Sequence, residues 1–379
     1  MLNILCYLPT KEYVLTLRDE IKEHGSIRKA AAALGIPRST LQYRLKREDG
    51  KAQETEGVIP EGYRAKGTST LYAADGSVKL QWVKTQIDPE RMAAIMDAMR
   101  EEFAATITPC IPVLYEPDDT ESDLLTTYIL TDYHLGMLAW GEESGADWDI
   151  KIAEEGLIRY FTRAAMLSPN SEIAVLANIG DAFHFDGMLP VTPTSKHVLD
   201  ADTRFQKLIR VAIRAFRHAV SILLDKHKYV HIIHLSGNHD DASGAWLREC
   251  FAEFYADEPR VTVDTRPDPY YCYEHGLTSL FFHHGHRKRI GSIDSVFASK
   301  FREVFGRTKY SYGHMGHLHH SEVKETSLMV LEQHRTLAAP DAYASSGGWL
   351  SGRSACAITY SKYYGELSRV TIPWEMLKV

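Results

Sequence analysis

Cysteine is scarce in this chain of 379 residues, and the five present, Cys6, Cys110, Cys250, Cys272 and Cys356, are scattered. An odd number with no CxxC pair excludes a disulfide framework and a zinc ribbon, and it points to reduced thiols in a reducing compartment. Long apolar runs are also missing: nothing approaches the roughly eighteen uncharged residues that a membrane span needs. The apolar start Leu2–Leu8 is short, lacks a basic flank and runs into Lys11 and Glu12. It does not read as a signal peptide, so a soluble, cytoplasmic protein is expected. No internal repeat or low-complexity segment is visible. Excess positive charge is absent too: 43 Lys and Arg stand against 50 Asp and Glu, a net charge of −7, which excludes a basic nucleic-acid coat. What is there is ordinarily globular, 44% apolar and 25% charged, with room for two or three domains.

The charge is unevenly placed. Residues 1–52 hold ten Lys and Arg and six Asp and Glu, a net of +4, which leaves −11 on the remainder. A small basic head on an acidic body suits a binding module joined to a metal-binding body. The head reads as three short helices. Residues 11–23 carry Leu15, Leu17 and Ile21, and Gly25 ends that helix. Ser26 caps a second, about 26–34, whose packing side has Ala30, Ala31 and Leu34. After the turn Gly35-Ile36-Pro37, a third helix at about 38–48 turns Leu41 and Leu45 inward. Its outer face carries Arg38, Ser39, Thr40, Gln42, Arg44, Lys46 and Arg47. The stretch Ile27 to Leu45 resembles the helix-turn-helix family of DNA-binding domains. The resemblance implies that the third helix enters a major groove with Ser39, Thr40, Gln42 and Tyr43 near base edges. Arg38, Arg44, Lys46 and Arg47 would then meet phosphates. The bland alternative is a helical bundle used for packing or protein contacts.

Residues 1–50 are therefore expected to be a helix-turn-helix domain, and 51–122 a linker region. Within that region residues 68–84 read as a hairpin around Asp75-Gly76. A helix at about 89–104 carries Met92, Ile95, Met96 and Met99 at core spacing. Pro109 to Ser122 marks the second boundary. From 123 to 379 strands and helices alternate. The apolar runs Thr127–Thr131, Ile173–Asn178, Val230–Leu235 and Leu280–His283 each stop immediately before a polar motif. Ligands just beyond the carboxyl ends of strands are where α/β sheets place their sites.

Those motifs are Asp132-Tyr133-His134, Gly180-Asp181, Gly237-Asn238-His239-Asp240, His284-Gly285 and Gly316-His317-Leu318-His319. They offer carboxylate, amide and imidazole ligands for two metal ions sharing one carboxylate, a device for breaking phosphate esters. Sixteen of the eighteen histidines lie between 132 and 320, too many in one order to be incidental core residues. On an extended segment, residues i and i+2 point the same way, so His317 with His319, and Asp132 with His134, would each share a face.

The ordered set D-x-H, G-D, G-N-H-D, H-G and G-H-x-H resembles the calcineurin-like metallophosphoesterase superfamily, with Leu318 where that family usually has Thr. The resemblance implies a four-layer α/β sandwich, two mixed sheets flanked by helices. It places Asp132, His134 and His319 on one metal, Asn238, His284 and His317 on the other, and Asp181 as the bridge. Imidazole nitrogens suit Mn²⁺, Fe²⁺ or Zn²⁺ better than Mg²⁺, with Mn²⁺ the first expectation. His239 would protonate the leaving oxygen. Asp240 either orients that imidazole or caps a local turn. His283 and His286 compete with His284 for its role. His314 and His320 read as supporting or solvent-facing, and His231 and His234 as structural.

Two features bear on the substrate. Gly180-Asp181-Ala182-Phe183-His184 resembles the double-strand-break nucleases of the same superfamily, in which the histidine assists the exonuclease reaction, so His184 is a second catalytic candidate. The DNA-binding head makes sense if the substrate is DNA. Basic and aromatic residues interleave between His284 and Gly316, from Arg287 to Tyr310, either as a nucleic-acid surface or as an ordinary amphipathic helix. Ser345 to Arg353 reads as a loop that caps the cleft, with Arg353 near phosphate, or as a plain connection. A head and body so joined resemble proteins of bacteriophages and prophages. The expectation is a metal-dependent DNA phosphodiesterase, a nuclease, acting in the cytoplasm without a membrane; a homodimer is compatible with it. The alternatives are a phosphatase or cyclic-nucleotide phosphodiesterase, and a DNA-binding regulator whose phosphoesterase body senses a ligand.

Overall fold

The structure, a computed structural model, describes residues 26–27, 63–72, 78–87, 112, 116–193 and 197–378. The expected helices of the head, the base- and phosphate-contact residues 38–47 and the helix at 89–104 lie outside the described residues. The chain divides into two compact units, Met1–Ile95 and Met96–Val379. In the first, β1 (Tyr63–Tyr72) pairs antiparallel with β2 (Val78–Ile87), from Tyr63 opposite Ile87 to Tyr72 opposite Val78. The hairpin is longer than its apolar pattern indicated, starting at Tyr63 and ending at Ile87. The Asp75-Gly76 turn lies outside the described residues.

The second unit runs β3 (Glu121–Leu130), α1 (Ile150–Leu167), β4 (Ser171–Asn178), α2 (Phe205–Lys226), β5 (Tyr229–His234), α3 (Asp241–Phe254), β6 (Val261–Val263), β7 (Tyr271–His275) and β8 (Thr278–Phe282). It continues with α4 (Asp294–Lys300), α5 (Arg302–Arg307), β9 (Tyr310–Met315), β10 (Glu322–Glu325), β11 (Val330–Gln333), β12 (Ser354–Ser361) and β13 (Gly365–Pro373). Two mixed sheets result. Six strands lie in the order β13-β12-β3-β4-β5-β6, parallel from β3 to β6. Five lie in the order β10-β11-β9-β8-β7, parallel from β11 through β8.

The period-2 alternation of strand side chains sorts the core into layers. Tyr128, Leu130, Ala174, Leu176 and Ile232 face α1, α2 and α3. Their neighbours Leu125, Ile129, Val175, Ala177 and Ile233 meet Leu280 and Phe282 of the second sheet. Phe281 and Leu331 turn the other way, onto Phe297 of α4. The architecture is thus helices, sheet, sheet, helices, a four-layer α/β sandwich. Burial on both faces explains why Leu124 to Leu130 is buried without a break, and why β3 reads as one apolar run. Asp149 caps α1, its Oδ1 accepting the Ile152 N–H at 2.7 Å. Cys250, Cys272 and Cys356 are unpaired. Among the described residues no helix is long and apolar enough to cross a membrane.

Candidate metal centre

The first sheet delivers its polar motifs from the carboxyl ends of β3, β4 and β5, and the second from the ends of β8 and β9. Backbone bonds lace these loops together. Asp132 N–H donates to Gly180 O and His134 N–H to Asp181 O, each at 3.0 Å, and Gly316 N–H donates to His284 O at 2.8 Å. The Asp132 carboxylate then joins the two sheets: Oδ2 accepts the His317 N–H at 2.8 Å, and His319 Nε2 lies 3.0 Å from Oδ1.

Asp132, His134 and His319 bring ligand atoms within 4.8 Å of one another, and so do Asp181, His284 and His317. His284 Nε2 lies 3.1 Å from Asp181 Oδ2 and 3.9 Å from Asp132 Oδ1. Its other nitrogen is 3.0 Å from Ile179 O, so the Nδ1–H is pinned on a carbonyl and Nε2 presents its lone pair to the carboxylates. Asp181 Oδ1 accepts the His239 N–H at 2.8 Å. His283 and His286 fall in neither group, whereas His284 sits between both carboxylates.

Every non-glycine residue with a left-handed backbone among the described residues is one of the expected ligands: Asp132 (φ 50°), His134 (48°), Asp181 (52°), His317 (75°) and His319 (56°). Such backbone costs on the order of 1–3 kcal/mol per residue and gathers where a site needs it. This corrects the expectation of an extended D-x-H and H-x-H. The side chains converge because the backbone is left-handed at both ends of each motif. Two glycines are required by close approach. A Cβ on Gly237 would lie 2.0 Å from Asp181 Oδ1, and one on Gly316 would lie 1.8 Å from Thr131 Oγ1.

The electrostatics show a deficit of positive charge. Asp132 and Asp181 are completely or almost completely enclosed. Burial opposes their ionisation, yet His319 and His284 hold Asp132, and His284 holds Asp181, below the usual carboxylate range. Burial likewise opposes protonation of His284, but Asp181 and Asp132 push it up to about 10. His319 also rises, against burial, because of Asp132. Two buried carboxylates that draw protons onto their imidazoles call for cations. Asn238 Oδ1 and His284 Nε2 are enclosed with no hydrogen-bond partner, which is costly for a polar atom unless a ligand takes it. The donor set of oxygen and imidazole nitrogen therefore fits divalent metal.

Three histidines, His134, His184 and His239, bring ring nitrogens together beside this cluster, and of them only His239 is not buried. His184 and His239 stack at 5.6 Å, and both rings stand edge-on to His134, at 5.2 and 4.8 Å. His239 Nδ1 is 2.8 Å from His184 O, which leaves its Nε2 as the atom able to exchange a proton. Burial, then His239, lowers His184 to about 3, and burial, His239 and His184 lower His134.

Asp240 does not touch the His239 imidazole. It accepts backbone N–H groups from Gly237 (2.7 Å), Asp181 (3.2 Å) and Phe183 (3.2 Å). Burial and the Asp181 carboxylate raise it to about 7. It clamps two ligand loops together, and the His184 carbonyl orients His239 instead. Arg353 stacks on Trp148 and Trp374 and donates to Leu337 O. His234 is buried between Phe216 and Phe251, His231 bonds Thr262, and His320 is exposed. Thr131 and Thr336, which bond the Asp132 carboxylate and carbonyl, carry no motif that would have marked them.

The model of the family described as "Bacterial regulatory protein, Fis family", a helix-turn-helix, matches residues 21–47. No curated protein matches the chain. Among solved structures, it is similar to a conserved uncharacterised protein, a predicted phosphoesterase, from Streptococcus pneumoniae (11% identity, 67% of this chain and 99% of that one, TM-score 0.29). It is also similar to the phosphoesterase Yfce from E. coli (12%, 65% and 98%, TM-score 0.32) and to an archaeal phosphodiesterase (10%, 66% and 99%, TM-score 0.33). The fold assignment rests on the sheet order and layering above, not on these scores.

Proposed function

We propose that the chain is a two-metal phosphodiesterase that hydrolyses DNA, brought to its substrate by a helix-turn-helix head in residues 1–50. The observation that carries the chemistry is the convergence of Asp132, His134 and His319, and of Asp181, His284 and His317, five of them on left-handed backbone. Their order along the chain matches the calcineurin-like ligand set. Asp132, His134 and His319 would hold one ion, Asn238, His284 and His317 the other, and Asp181 would serve both. Mn²⁺ suits the donors best. When bound, the ions supply Lewis acidity toward the phosphate and a water activated near neutral pH.

The chain's own residues do the rest. His239, half-buried and held through Nδ1, presents Nε2 to the leaving oxygen and delivers its proton there. His184, buried behind it, keeps the His239 ring in place by stacking and by its carbonyl. Asp240 keeps the two loops in register. The Fis-family match to residues 21–47 supports DNA as the substrate rather than a small monoester.

The test incubates metal-loaded protein with end-labelled single- and double-stranded DNA, bis- and mono-aryl phosphates and cyclic nucleotides, beside Asp181→Ala and His239→Ala. Mn²⁺-dependent DNA cleavage lost in both variants is the expected result. Turnover of monoesters with intact DNA would overturn the DNA reading. Deleting residues 1–50 should weaken DNA affinity and flatten its salt dependence.

A further inference from the structure

The fold withdraws most of the basic and aromatic residues between His284 and Gly316 from any ligand. Lys300 bonds Asp268 at 2.5 Å, Arg307 bonds Glu274 through both oxygens, Lys309 lies over the Tyr310 ring, and Phe297 is core. Arg302 at the start of α5 remains, and so do Arg287, Lys288 and Arg289 in the loop after β8. The three loop residues Arg287, Lys288 and Arg289 are exposed, and none has an ion-pair partner among the described residues. They begin three residues after His284, and Lys324 Nζ lies against Gly291 of the same loop.

His286 links this basic run to the metal centre. Its ring is 5.4 Å from that of His284 and 6.3 Å from that of His317. It is held in a stack, 5.7 Å from His283, which itself lies 4.5 Å from Tyr270. His286 Nε2 accepts the Arg287 Nε–H at 3.0 Å, so the ring proton sits on Nδ1. That Nδ1–H is enclosed and has no acceptor. A buried donor without a partner is unfavourable, and an anionic oxygen placed there removes the penalty. The bond through Nε also fixes the Arg287 guanidinium, leaving its remaining N–H groups for a phosphate.

We infer that His286 and Arg287, backed by Lys288 and Arg289, form an anion subsite on the His284/His317 side of the centre. It holds a phosphate neighbouring the scissile one and so selects a polynucleotide over an isolated diester. This rests on the reading of DNA as substrate, and the experiment separates the two.

The full chain loaded with Mn²⁺ hydrolyses bis-nitrophenyl phosphate while a single-stranded thymidine decamer competes. Decamer cleavage is followed in parallel, and metal content is measured for each variant. Arg287→Ala should raise the decamer inhibition constant about tenfold, the loss of one charge-assisted contact. It should also reduce the slope of its logarithm against log salt by about 0.7, the value for one single-strand phosphate contact. Arg287→Lys should restore the slope, a recovery that a merely structural role does not give. His286→Gln should raise the constant and leave the slope alone. Identical constants and slopes in wild type and Arg287→Ala overturn the subsite even if DNA is cleaved. A decamer that inhibits with the expected slope change yet stays intact supports the subsite and overturns the nuclease reading. A decamer that neither inhibits nor is cleaved overturns both.

Discussion

Two histidine clusters lie along one strand, His314 within β9 and His317 just past its end, and they are built differently. Around His314 every ring nitrogen has a partner. Nδ1 is 3.0 Å from His334 Nε2, Nε2 is 3.0 Å from Tyr360 Oη, and His334 Nδ1 is 3.4 Å from Cys356 Sγ. Glu332, 3.5 Å from His334, is bonded by Arg369 at 2.5 Å. By ligand type and spacing alone His314, Glu332 and His334 would also hold a cation. What separates them from the cluster around His317 is satisfaction. The first closes on itself with ordinary backbone and a neutralising arginine. The second sets His284 Nε2 3.1 Å from Asp181 Oδ2 and 3.9 Å from Asp132 Oδ1 with no neutralising arginine among the described residues, and five of its residues have left-handed backbone. A group of ligands is a metal site when its hydrogen bonds do not close.

The sharpest way to break this comparison is metal content. Asp181→Ala should abolish hydrolysis and empty at least one ion site, whereas Glu332→Gln should keep both ions and the activity. Elemental analysis with bis-aryl phosphate kinetics decides it, and metal lost from Glu332→Gln would erase the distinction. Next in size is His239→Gln, for which kcat should fall about 10²- to 10⁴-fold at full metal occupancy. Asp240→Asn, by loosening the loops that carry Asp181 and Asn238, should cost about 10- to 100-fold in metal affinity or activity, as is usual for groups that support ligands. Calorimetric titration with Mn²⁺ measures it. Saturating the centre should also raise unfolding stability, by about 2.7 kcal/mol at a hundred times the dissociation constant, and the increment should vanish in Asp181→Ala.

The sequence is legible where one residue type in one short window does the work. The β3, β4, β5 and β8 runs stop where their motifs begin, and His284 is separable from its two neighbouring histidines. It is less legible where the determining contact is distant. Asp240 reads locally as a partner for His239 or as a turn cap; the turn bond from Gly237 is there, but its oxygens also take amides 57 and 59 residues away. Arg353 beside a glycine-rich loop reads either as near phosphate or as part of a plain connection, and its packing between Trp148 and Trp374 comes from elsewhere in the chain. Spacing also misstates backbone shape: H-x-H suggests a strand, and left-handed geometry gives the same convergence by another route. The closed cluster is invisible in the sequence because Glu332 meets His314 only through β11–β9 pairing, and Cys356 and Tyr360 reach them from β12 of the other sheet.

The smallest effect concerns that closed cluster. Burial disfavours the ionised form of Glu332, but His334 and Arg369 outweigh it and lower the carboxyl to about 2 from its ordinary 4.5. A carboxyl whose pKa is depressed on folding adds stability above its unfolded pKa and loses it as the pH falls through the folded one. The contribution is therefore whole above about pH 4.5 and gone near pH 2. Removing one partner of a fully buried pair costs about 3–5 kcal/mol, and the Arg369 side chain is one-third exposed, so about 2 kcal/mol is expected for Glu332→Gln at neutral pH. Asp132 and Asp181 also lose stability in acid, so the quantity to measure is the difference between wild type and Glu332→Gln in denaturant unfolding from pH 7 to pH 2.5. That difference should shrink steadily below pH 4.5. A constant difference would mean that the cluster is held by packing and not by the Glu332–Arg369 pair, and the contrast with the metal centre would then rest on hydrogen bonds alone.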